Sequence, residues 1–186
     1  MSIGKQGRGI VSRQRRRDFG EVFTPKAMVR SMLDMIVQEV ERIDSTFWDP
    51  ACGTGNFLIE TLIRRLRVVK ARCGSDQGEY ERQSLTALSS LYGVEIQQDN
   101  VQHCRRRLVR LFNRTYLRCF RGVCIVGASE LAERIVGQNI VWGDFLSLMT
   151  MGDNPQPISF CRWHIGPAVL CGDSYGVSDD SLPNYQ

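Results

Sequence analysis

The chain has 186 residues, of which 42% are hydrophobic and 24% charged, and its formal net charge is +4. This length predicts one domain with a sizeable core, or one domain and a small tail, and the composition is typical of a globular protein. No run of about 18 apolar residues is present, so no membrane span is expected. The N-terminus is polar and basic and lacks the apolar segment of a secretory signal, which predicts a cytoplasmic location.

The cysteines and histidines do not form a metal-binding pattern. Seven cysteines and two histidines are present at irregular spacings. Cys119 and Cys124 are the closest pair of cysteines, and their spacing is not that of a CxxC motif. Such usage favours reduced, mostly buried thiols over a zinc site, and no metal ligand is predicted.

Positive charge is concentrated in three clusters. Residues 1–17 carry six basic residues and residues 101–122 carry seven arginines, in both segments without an acid. The third cluster comprises Arg64, Arg65, Arg67, Lys70 and Arg72. Phosphate contacts dominate affinity for nucleic acids, so these clusters suit a DNA or RNA partner. A solvated helix face or a disordered arm is the alternative. The candidate nucleic-acid-binding residues are Arg13, Arg15, Arg16, Arg17, Arg105 and Arg106.

The first predicted elements are a flexible basic arm over residues 1–19 and a helix over 26–42. Thr24-Pro25 is a plausible start for this helix, because proline is favoured in the first helical turn. The apolar side of the helix is predicted from residues at helical spacing, namely Met28, Met32, Ile36, Val37 and Val40.

The rest of the chain alternates between short apolar strands and helices. Strands are predicted over 46–48, 91–96 and 139–142, and helices over 56–72, 79–90, 98–117 and 129–136. The first of these helices is predicted to carry an arginine-rich outer face. Residues 123–126 are predicted to form a strand or a buried connector, 157–163 one more strand, and 152–157 a turn. This order predicts an α/β domain over 20–165 with a mainly parallel sheet, followed by a C-terminal tail over 166–186.

A glycine-rich run lies between the first strand and the following helix. It reads Asp49-Pro50-Ala51-Cys52-Gly53-Thr54-Gly55-Asn56-Phe57. Its glycines allow backbone amides to approach a ligand closely at the start of a helix. Leu58 occupies the position of the third glycine in a dinucleotide fingerprint, so the run departs from that motif. The alternative is a tight turn in which Asp49 acts as a cap.

An acidic residue stands at the end of each of the first three predicted strands: Asp49, Glu95 and Asp144. Ligands of parallel α/β sheets bind at the carboxyl ends of the strands. Glu95 lies 40 residues after Gly55, whereas a dinucleotide site shows its acid about 20 residues on. The pattern therefore predicts a ligand site at this edge that is not a dinucleotide site.

Together with Phe23-Thr24-Pro25, Gly93-Val94-Glu95-Ile96 and Gly143-Asp144-Phe145-Leu146, the glycine-rich run resembles the S-adenosylmethionine-dependent DNA methyltransferases of the adenine-N6 type, in the arrangement of type I and related restriction–modification enzymes. The resemblance covers roughly residues 19–147. It implies a Rossmann-like methyltransferase fold, S-adenosylmethionine as the cofactor, DNA as a partner and a specificity or catalytic partner subunit.

The resemblance also implies roles for individual residues. Asp49 would help to hold the methionine ammonium, Glu95 would accept hydrogen bonds from the ribose diol, and Asp144 would accept one from the adenine amino group. Phe145 would pack on the adenine ring, and Phe23-Thr24-Pro25 would close over the methionine end. The predicted cofactor-binding residues are Phe23, Thr24, Pro25, Asp49, Pro50, Ala51, Gly53, Gly55, Asn56, Phe57, Glu95, Ile96, Asp144 and Phe145. The alternatives are a surface acid at Glu95 and an ordinary helix cap at Thr24-Pro25.

The motif that would bind the target base is not present in clean form. Adenine-N6 methylation requires a base out of the stack, and the family binds it with Asn or Asp, two prolines and an aromatic residue. The nearest string is Asp153-Asn154-Pro155-Gln156-Pro157, which makes Asn154 the candidate catalytic residue and a plain turn the alternative. The sheet is expected to be truncated on its C-terminal side.

Three functions stay open from the sequence. The chain is a DNA adenine-N6 methyltransferase or a subunit of one, a catalytically inactive S-adenosylmethionine-binding module that regulates or assembles with a restriction–modification or phage complex, or a remnant that still folds.

Overall fold

The computed structural model describes residues 24–121, 125–166 and 169–176. Its helices are α1 Lys26–Asp34, α2 Val37–Val40, α3 Asn56–Cys73, α4 Gln77–Ser89, α5 Gln98–Cys119 and α6 Val126–Asn139. Its strands are β1 Phe47–Asp49, β2 Leu91–Glu95, β3 Ile140–Asp144, β4 Met149–Thr150, β5 Ser159–Ile165 and β6 Val169–Gly176. The predictions for Phe23, for Arg13, Arg15, Arg16 and Arg17, and for residues 123 and 124 lie outside the described residues.

The central sheet has the strand order β1-β2-β3-β4. β1 pairs with β2 and β2 with β3 in parallel, while β4 is antiparallel to β3. The parallel strands are joined through helices, α3 and α4 between β1 and β2, and α5 and α6 between β2 and β3. Long crossovers of this kind are what parallel pairing requires. The predicted α/β pattern with a mostly parallel sheet is therefore confirmed.

The two faces of the sheet are covered by different parts of the chain. Successive side chains of a strand point to opposite faces, and in β2 Leu91 joins the core beneath the helices while Tyr92 joins a smaller cluster on the other face. Ile158 and Phe160 cover that second face, and Phe160 packs edge-to-face on Tyr92 with ring centroids 5.3 Å apart. The segment after β4 thus covers the face of the sheet that the helices do not cover.

The last described segment is an antiparallel hairpin of β5 and β6. It is tied to the sheet where Tyr92 Oη donates to the Cys161 carbonyl at 3.1 Å and Trp163 Nε1 donates to Asn139 Oδ1 at 2.7 Å. The predicted strand at 157–163 is confirmed as β5. However, β6 occupies residues that the sequence assigned to a loose tail. Pairing with β5 decides this segment, because its own composition carries no strand signal.

The first helix buries a different face from the one predicted. Val29, Leu33 and Val40 are buried, whereas Met28 and Met32 are 56% and 47% exposed. The helix also ends at Asp34, before the short α2 begins at Val37. The predicted stripe is offset because Phe47 and Phe57, on β1 and α3, pack against the Val29 side. The helical period was visible in the sequence, but the face that meets the core was not.

The prediction of an arginine-rich outer face on α3 is wrong for Arg64 and Arg65. Arg65 has no exposed surface, and it donates from Nε to the Val40 carbonyl at 3.0 Å and from Nη1 to Ser90 Oγ at 2.5 Å. Burial lowers the pKa of Arg65 to about 10. Arg64 forms an ion pair with Asp34 at 2.7 Å. These arginines join α3 to its neighbours, because the helix lies against α1, α2 and the sheet at that point.

Among the described residues, Cys52, Cys73, Cys104 and Cys119 are free thiols, as predicted, whereas Cys161 is disulfide-bonded. Within the same residues, no helix combines the length and apolar character that a membrane crossing needs.

Candidate functional site

Three acidic residues end the three parallel strands. Asp49 is the last residue of β1, Glu95 of β2 and Asp144 of β3. Asp49 pairs in register with Gly93, which is two residues before Glu95. Glu95 in turn pairs with Trp142, which is two residues before Asp144. Because the strands are adjacent and parallel, the acids share one edge of the sheet. The predicted placement of these side chains at strand ends is confirmed.

The turn after β1 depends on its glycines. Gly53 and Gly55 have φ values of 53° and 81°, which L side chains rarely adopt. A Cβ atom on Gly55 would also lie 2.5 Å from Cys104 Sγ on α5. The turn leads directly into α3, whose N-terminus has no side-chain cap. Backbone N–H groups at the start of α3 are therefore available to a ligand at this edge.

Glu95 holds the glycine-rich turn in place. Its buried carboxylate accepts from the Gly53 amide at Oε2, at 2.9 Å, and from the Gln97 amide at Oε1, at 2.8 Å. Asn100 Nδ2 lies 3.5 Å from Oε1. A carboxylate offers about four acceptor positions, so these contacts leave room for a ligand hydroxyl. Glu95 thus fixes both the turn and the start of α5, a structural role that the sequence did not reveal.

Asp49 lies partly buried beside Glu95. Burial raises the pKa of the Asp49 carboxyl above its ordinary value, a hydrogen bond from the Ala51 amide opposes that rise, and the nearby charge of Glu95 adds to it. The Ala51 N–H lies 3.3 Å from Asp49 Oδ1. A carboxyl whose ionisation is resisted in this way, next to a second acid, forms a place where a cationic group is favoured.

Asn56 and Arg107 connect the glycine-rich turn to the segment before α1. Asn56 Nδ2 donates to the Thr24 carbonyl at 3.1 Å. Arg107, on α5, donates from Nη1 to Asn56 Oδ1 at 3.1 Å, to Thr54 Oγ1 at 3.1 Å, and also to the Thr54 carbonyl. The structure thus brings Thr24-Pro25 to the turn, as the sequence predicted. Sequence reasoning missed Arg107, whose only signal was its place in an arginine run after β2.

Asp144 and Ile96 border the site on the β2–β3 side. The Leu146 amide donates to Asp144 Oδ1 at 3.0 Å, and this bond, with one from the Ser147 side chain, lowers the pKa of Asp144. Ile96 is 37% exposed, and its carbonyl accepts from Trp142 Nε1 at 3.0 Å. An exposed apolar side chain next to Glu95 can serve as a wall for a flat ligand ring.

Two aromatic residues predicted to touch the cofactor also make contacts within the protein. Phe145 packs edge-to-face on Trp48, with ring centroids 4.9 Å apart. Phe57 packs against the cluster of Val29, Leu33 and Val40. Both rings are partly buried, and Phe145 lies in the turn that directly follows Asp144.

Asn154 lies apart from the strand-end acids. After β4 the Met151 amide donates to the Trp142 carbonyl at 3.0 Å, so the chain runs back along β3, away from its carboxyl end. Asn154 is exposed in the following turn, where Gln156 Nε2 donates to its Oδ1 at 3.2 Å. β4 and β1 are three strand spacings apart, or about 14 Å. This placement favours the plain-turn alternative over a catalytic role for Asn154.

Arg105 and Arg106 differ in what they can contact. Arg105 donates from Nε to the Ile140 carbonyl at 3.0 Å and from Nη2 to the Gly137 carbonyl at 2.9 Å. Its guanidinium therefore joins α5 to the start of β3, and burial lowers its pKa. Arg106 is exposed. The prediction that Arg105 contacts nucleic acid is thus replaced by a structural role.

The family model for N-6 DNA Methylase matches residues 10–110. This segment is more than half of the 186 residues and contains the glycine-rich turn, Glu95 and Arg107. No curated protein and no solved structure matches the chain. Among the described residues, no group of three or more His, Cys, Asp and Glu side chains is placed to hold a metal ion.

Proposed function

The chain belongs to the N-6 DNA methylase family, and on that premise we propose that it binds S-adenosylmethionine at the edge formed by the carboxyl ends of β1, β2 and β3. Its function is then the adenine-N6 methylation of DNA, as a methyltransferase or as a subunit of one. The observation that carries the proposal is the 2.9 Å hydrogen bond between the Gly53 amide and Glu95 Oε2. This contact joins the glycine-rich turn of β1 to the acid of β2 across 42 residues of sequence.

The residues at the edge fit the chemistry of S-adenosylmethionine. The cofactor carries an ammonium and a sulfonium, both cationic, and the Asp49–Glu95 pair favours a cation. Glu95 retains acceptor capacity for a ribose hydroxyl, and the start of α3 offers N–H groups to the methionine carboxylate. When bound, the cofactor supplies the methyl group. Asp49, Gly53, Gly55 and Glu95 are the residues that would hold it.

The adenine end of the cofactor is proposed to lie towards β3. Ile96 supplies an exposed apolar surface next to Glu95, and Asp144 supplies an acceptor at the next strand end. Phe145, partly buried on Trp48 next to Asp144, and Ile96 are both candidates for contact with the adenine ring. Strand-end acids on three adjacent parallel strands also support the Rossmann-like methyltransferase fold that the sequence implies.

DNA is the proposed substrate, because the chain belongs to a DNA methylase family. We propose that a partner subunit contributes to target-base binding and sequence selection. The reason is the position of Asn154, which lies in the turn after β4, at the opposite end of the strand order from β1 and Asp49.

The same observation favours a second candidate function, a cofactor-binding module that does not transfer methyl groups itself. Such a module would regulate a restriction–modification or phage complex, or assemble with one. The two functions agree on cofactor binding at Asp49 and Glu95, and they differ in whether methyl groups reach DNA.

Calorimetric titration with S-adenosylmethionine, together with transfer of a tritiated methyl group to unmethylated DNA, tests both functions. Glu95→Gln should weaken cofactor binding about tenfold to a hundredfold, since a hydrogen bond to a charged group contributes about 1.5–3 kcal/mol. Asp153→Asn is the matched control, because Asp153 is exposed in the turn beyond β4.

Binding with transfer supports the methyltransferase, and binding without transfer supports the inactive module. Equal affinity of the parent chain and a folded Glu95→Gln variant would show that the site lies elsewhere. The unfolding temperature of each variant separates loss of the site from loss of the fold.

A further inference from the structure

A row of arginines follows the outer side of α5. Its members recur at every fourth position, which places them on one side of the helix, one turn apart. We call it the arginine stripe, and it consists of Arg106, Arg110, Arg114 and Arg118. All of its members are exposed. A rise of 1.5 Å per residue gives the stripe a length of about 18 Å.

The stripe has no acidic partners in the part of the chain that the structure describes. None of its arginines takes part in an ion pair or a side-chain hydrogen bond there. By contrast, Arg105 and Arg107 on the same helix are engaged with backbone carbonyls and with the glycine-rich turn. The cations of α5 therefore divide into an inward group that holds the fold and an outward group that is unneutralised.

The stripe lines a groove of about 870 Å³ between α5 and α6. Glu133 is the single acid among the groove residues. Val109 of α5 and Val136 of α6 also line the groove and supply apolar surface. Five arginines, the four of the stripe and Arg105, line the groove against one acid, and this positive charge favours a polyanion as its occupant.

We propose that this groove binds the phosphate backbone of double-stranded DNA, independently of base sequence and of cofactor binding. The stripe spans about 18 Å, which corresponds to about five phosphates of one strand at 3.4 Å of axial rise each. Arginine is suited to this task because its planar guanidinium donates two parallel hydrogen bonds to a phosphate. The stripe contains no lysine, and its even spacing matches a regular row of charges better than the uneven acids of a protein.

The position of the stripe relates it to the edge of the sheet. α5 begins at Gln98, just after Glu95, and Arg107 contacts the glycine-rich turn. The stripe therefore begins at Arg106, one residue before the arginine that contacts the turn, and continues along α5 towards its C-terminal end. DNA held there would be retained on the protein by contacts other than those at the target base.

The proposal is tested with matched sets of substitutions on two helices. Arg110→Gln, Arg114→Gln and Arg118→Gln remove three charges from the stripe, and Arg67→Gln, Lys70→Gln and Arg72→Gln remove three exposed charges from α3. Binding of the full chain to a duplex of mixed sequence is measured by fluorescence anisotropy over a range of salt concentrations. The unfolding temperature of each variant establishes that it is folded.

The stripe variant should bind at least tenfold more weakly, and the slope of log K against log salt should become less steep by about 2.7, at about 0.9 for each phosphate contact. The α3 variant should keep the parent slope. A stripe variant with the affinity and slope of the parent overturns the proposal. Parent binding to poly-glutamate as tight as to the duplex also overturns it, since the groove would then recognise acidic protein. Neither binding measurement requires S-adenosylmethionine, so its outcome is independent of the test of the proposed cofactor site.

Discussion

Helices α3 and α5 are both rich in arginine, yet they use it in opposite ways. On α3, Arg65 is fully buried and hydrogen-bonded to the Val40 carbonyl and to Ser90 Oγ. On α5, the arginine stripe faces solvent along a groove and has no ion-pair partner among the described residues. In sequence the two clusters look alike, since each places basic residues at helical spacing.

The difference shows that the environment of a helix, rather than its charge, decides what an arginine does. α3 lies between α1, α2 and the sheet. Several sides of this helix are therefore covered by protein, and basic side chains on them are largely shielded from solvent. α5 contacts the turn and α6 with only one side. A buried guanidinium must have its donors satisfied, because leaving polar groups unpaired in the interior is costly, and Arg65 meets that condition with neutral oxygens.

The largest expected effect comes from removing the buried arginine. Arg65→Met keeps a long side chain but leaves the Val40 carbonyl without its donor, whereas Ser90 Oγ keeps its hydrogen bonds to the Ile43 and Ala87 carbonyls. We expect a loss of about 1–3 kcal/mol in the free energy of unfolding, the cost of one unsatisfied buried group. Urea denaturation measures the loss. Arg67→Met, at an exposed position of the same helix, is the control and should change stability by less than about 0.5 kcal/mol. Equal urea midpoints for the Arg65 and Arg67 variants would contradict the structural role of Arg65, and with it the contrast between α3 and α5.

Arg107 tests the inward side of α5. Arg107→Ala removes the donor that holds Thr54 and Asn56, so the glycine-rich turn becomes less well ordered. We expect affinity for S-adenosylmethionine to fall about tenfold, which corresponds to about 1.4 kcal/mol, while the fold is retained. Arg72→Ala on α3 is the control, because Arg72 is exposed. Unchanged affinity in the Arg107 variant, measured by calorimetry, would mean that the turn holds its conformation without this arginine.

Asp49 is a partly buried acid, and its charge can be compared with that of the buried arginines. Because burial raises the pKa of Asp49 in the folded state, its ionised form opposes folding. The stability that the carboxyl contributes is therefore full below its unfolded pKa and is lost as the pH rises through the folded pKa. Asp49→Asn removes this penalty and should raise the unfolding temperature at about pH 8, by about 2–4 °C for each kcal/mol in a domain of this size.

The gain at Asp49 should fade as the pH approaches the ordinary value of 3.8, because the parent carboxyl then becomes protonated as well. The same substitution should weaken cofactor binding by removing a negative charge from the site. Thermal unfolding across this pH range, with Asp153→Asn as an exposed control, measures the effect. A variant that is less stable than the parent at every pH would show that the Asp49 charge supports the fold.

Local patterns in the sequence were enough to identify the strands, the long helices and the strand-end acids. Short apolar runs that stop at Asp49, Glu95 and Asp144 predict both the strands and their ends, because strand burial and strand termination depend on nearby residues. The turn at Gly53 and Gly55 could be predicted for the same reason, since a positive φ depends on the single residue that adopts it. The family also followed from these motifs, in agreement with the match over residues 10–110.

Only the tertiary structure decided which side of each element meets the core. A helical period fixes spacing but not orientation, which is why Met28 and Met32 were predicted inside while Val29 and Leu33 are buried. Likewise, Arg65, Arg105 and Arg107 could not be separated from the arginine stripe by their sequence, because their partners are carbonyls and turns distant along the chain. The hairpin of β5 and β6, and the position of Asn154 beyond β4, arise from pairing between segments. Such pairing is determined by the assembled sheet and not by either segment alone.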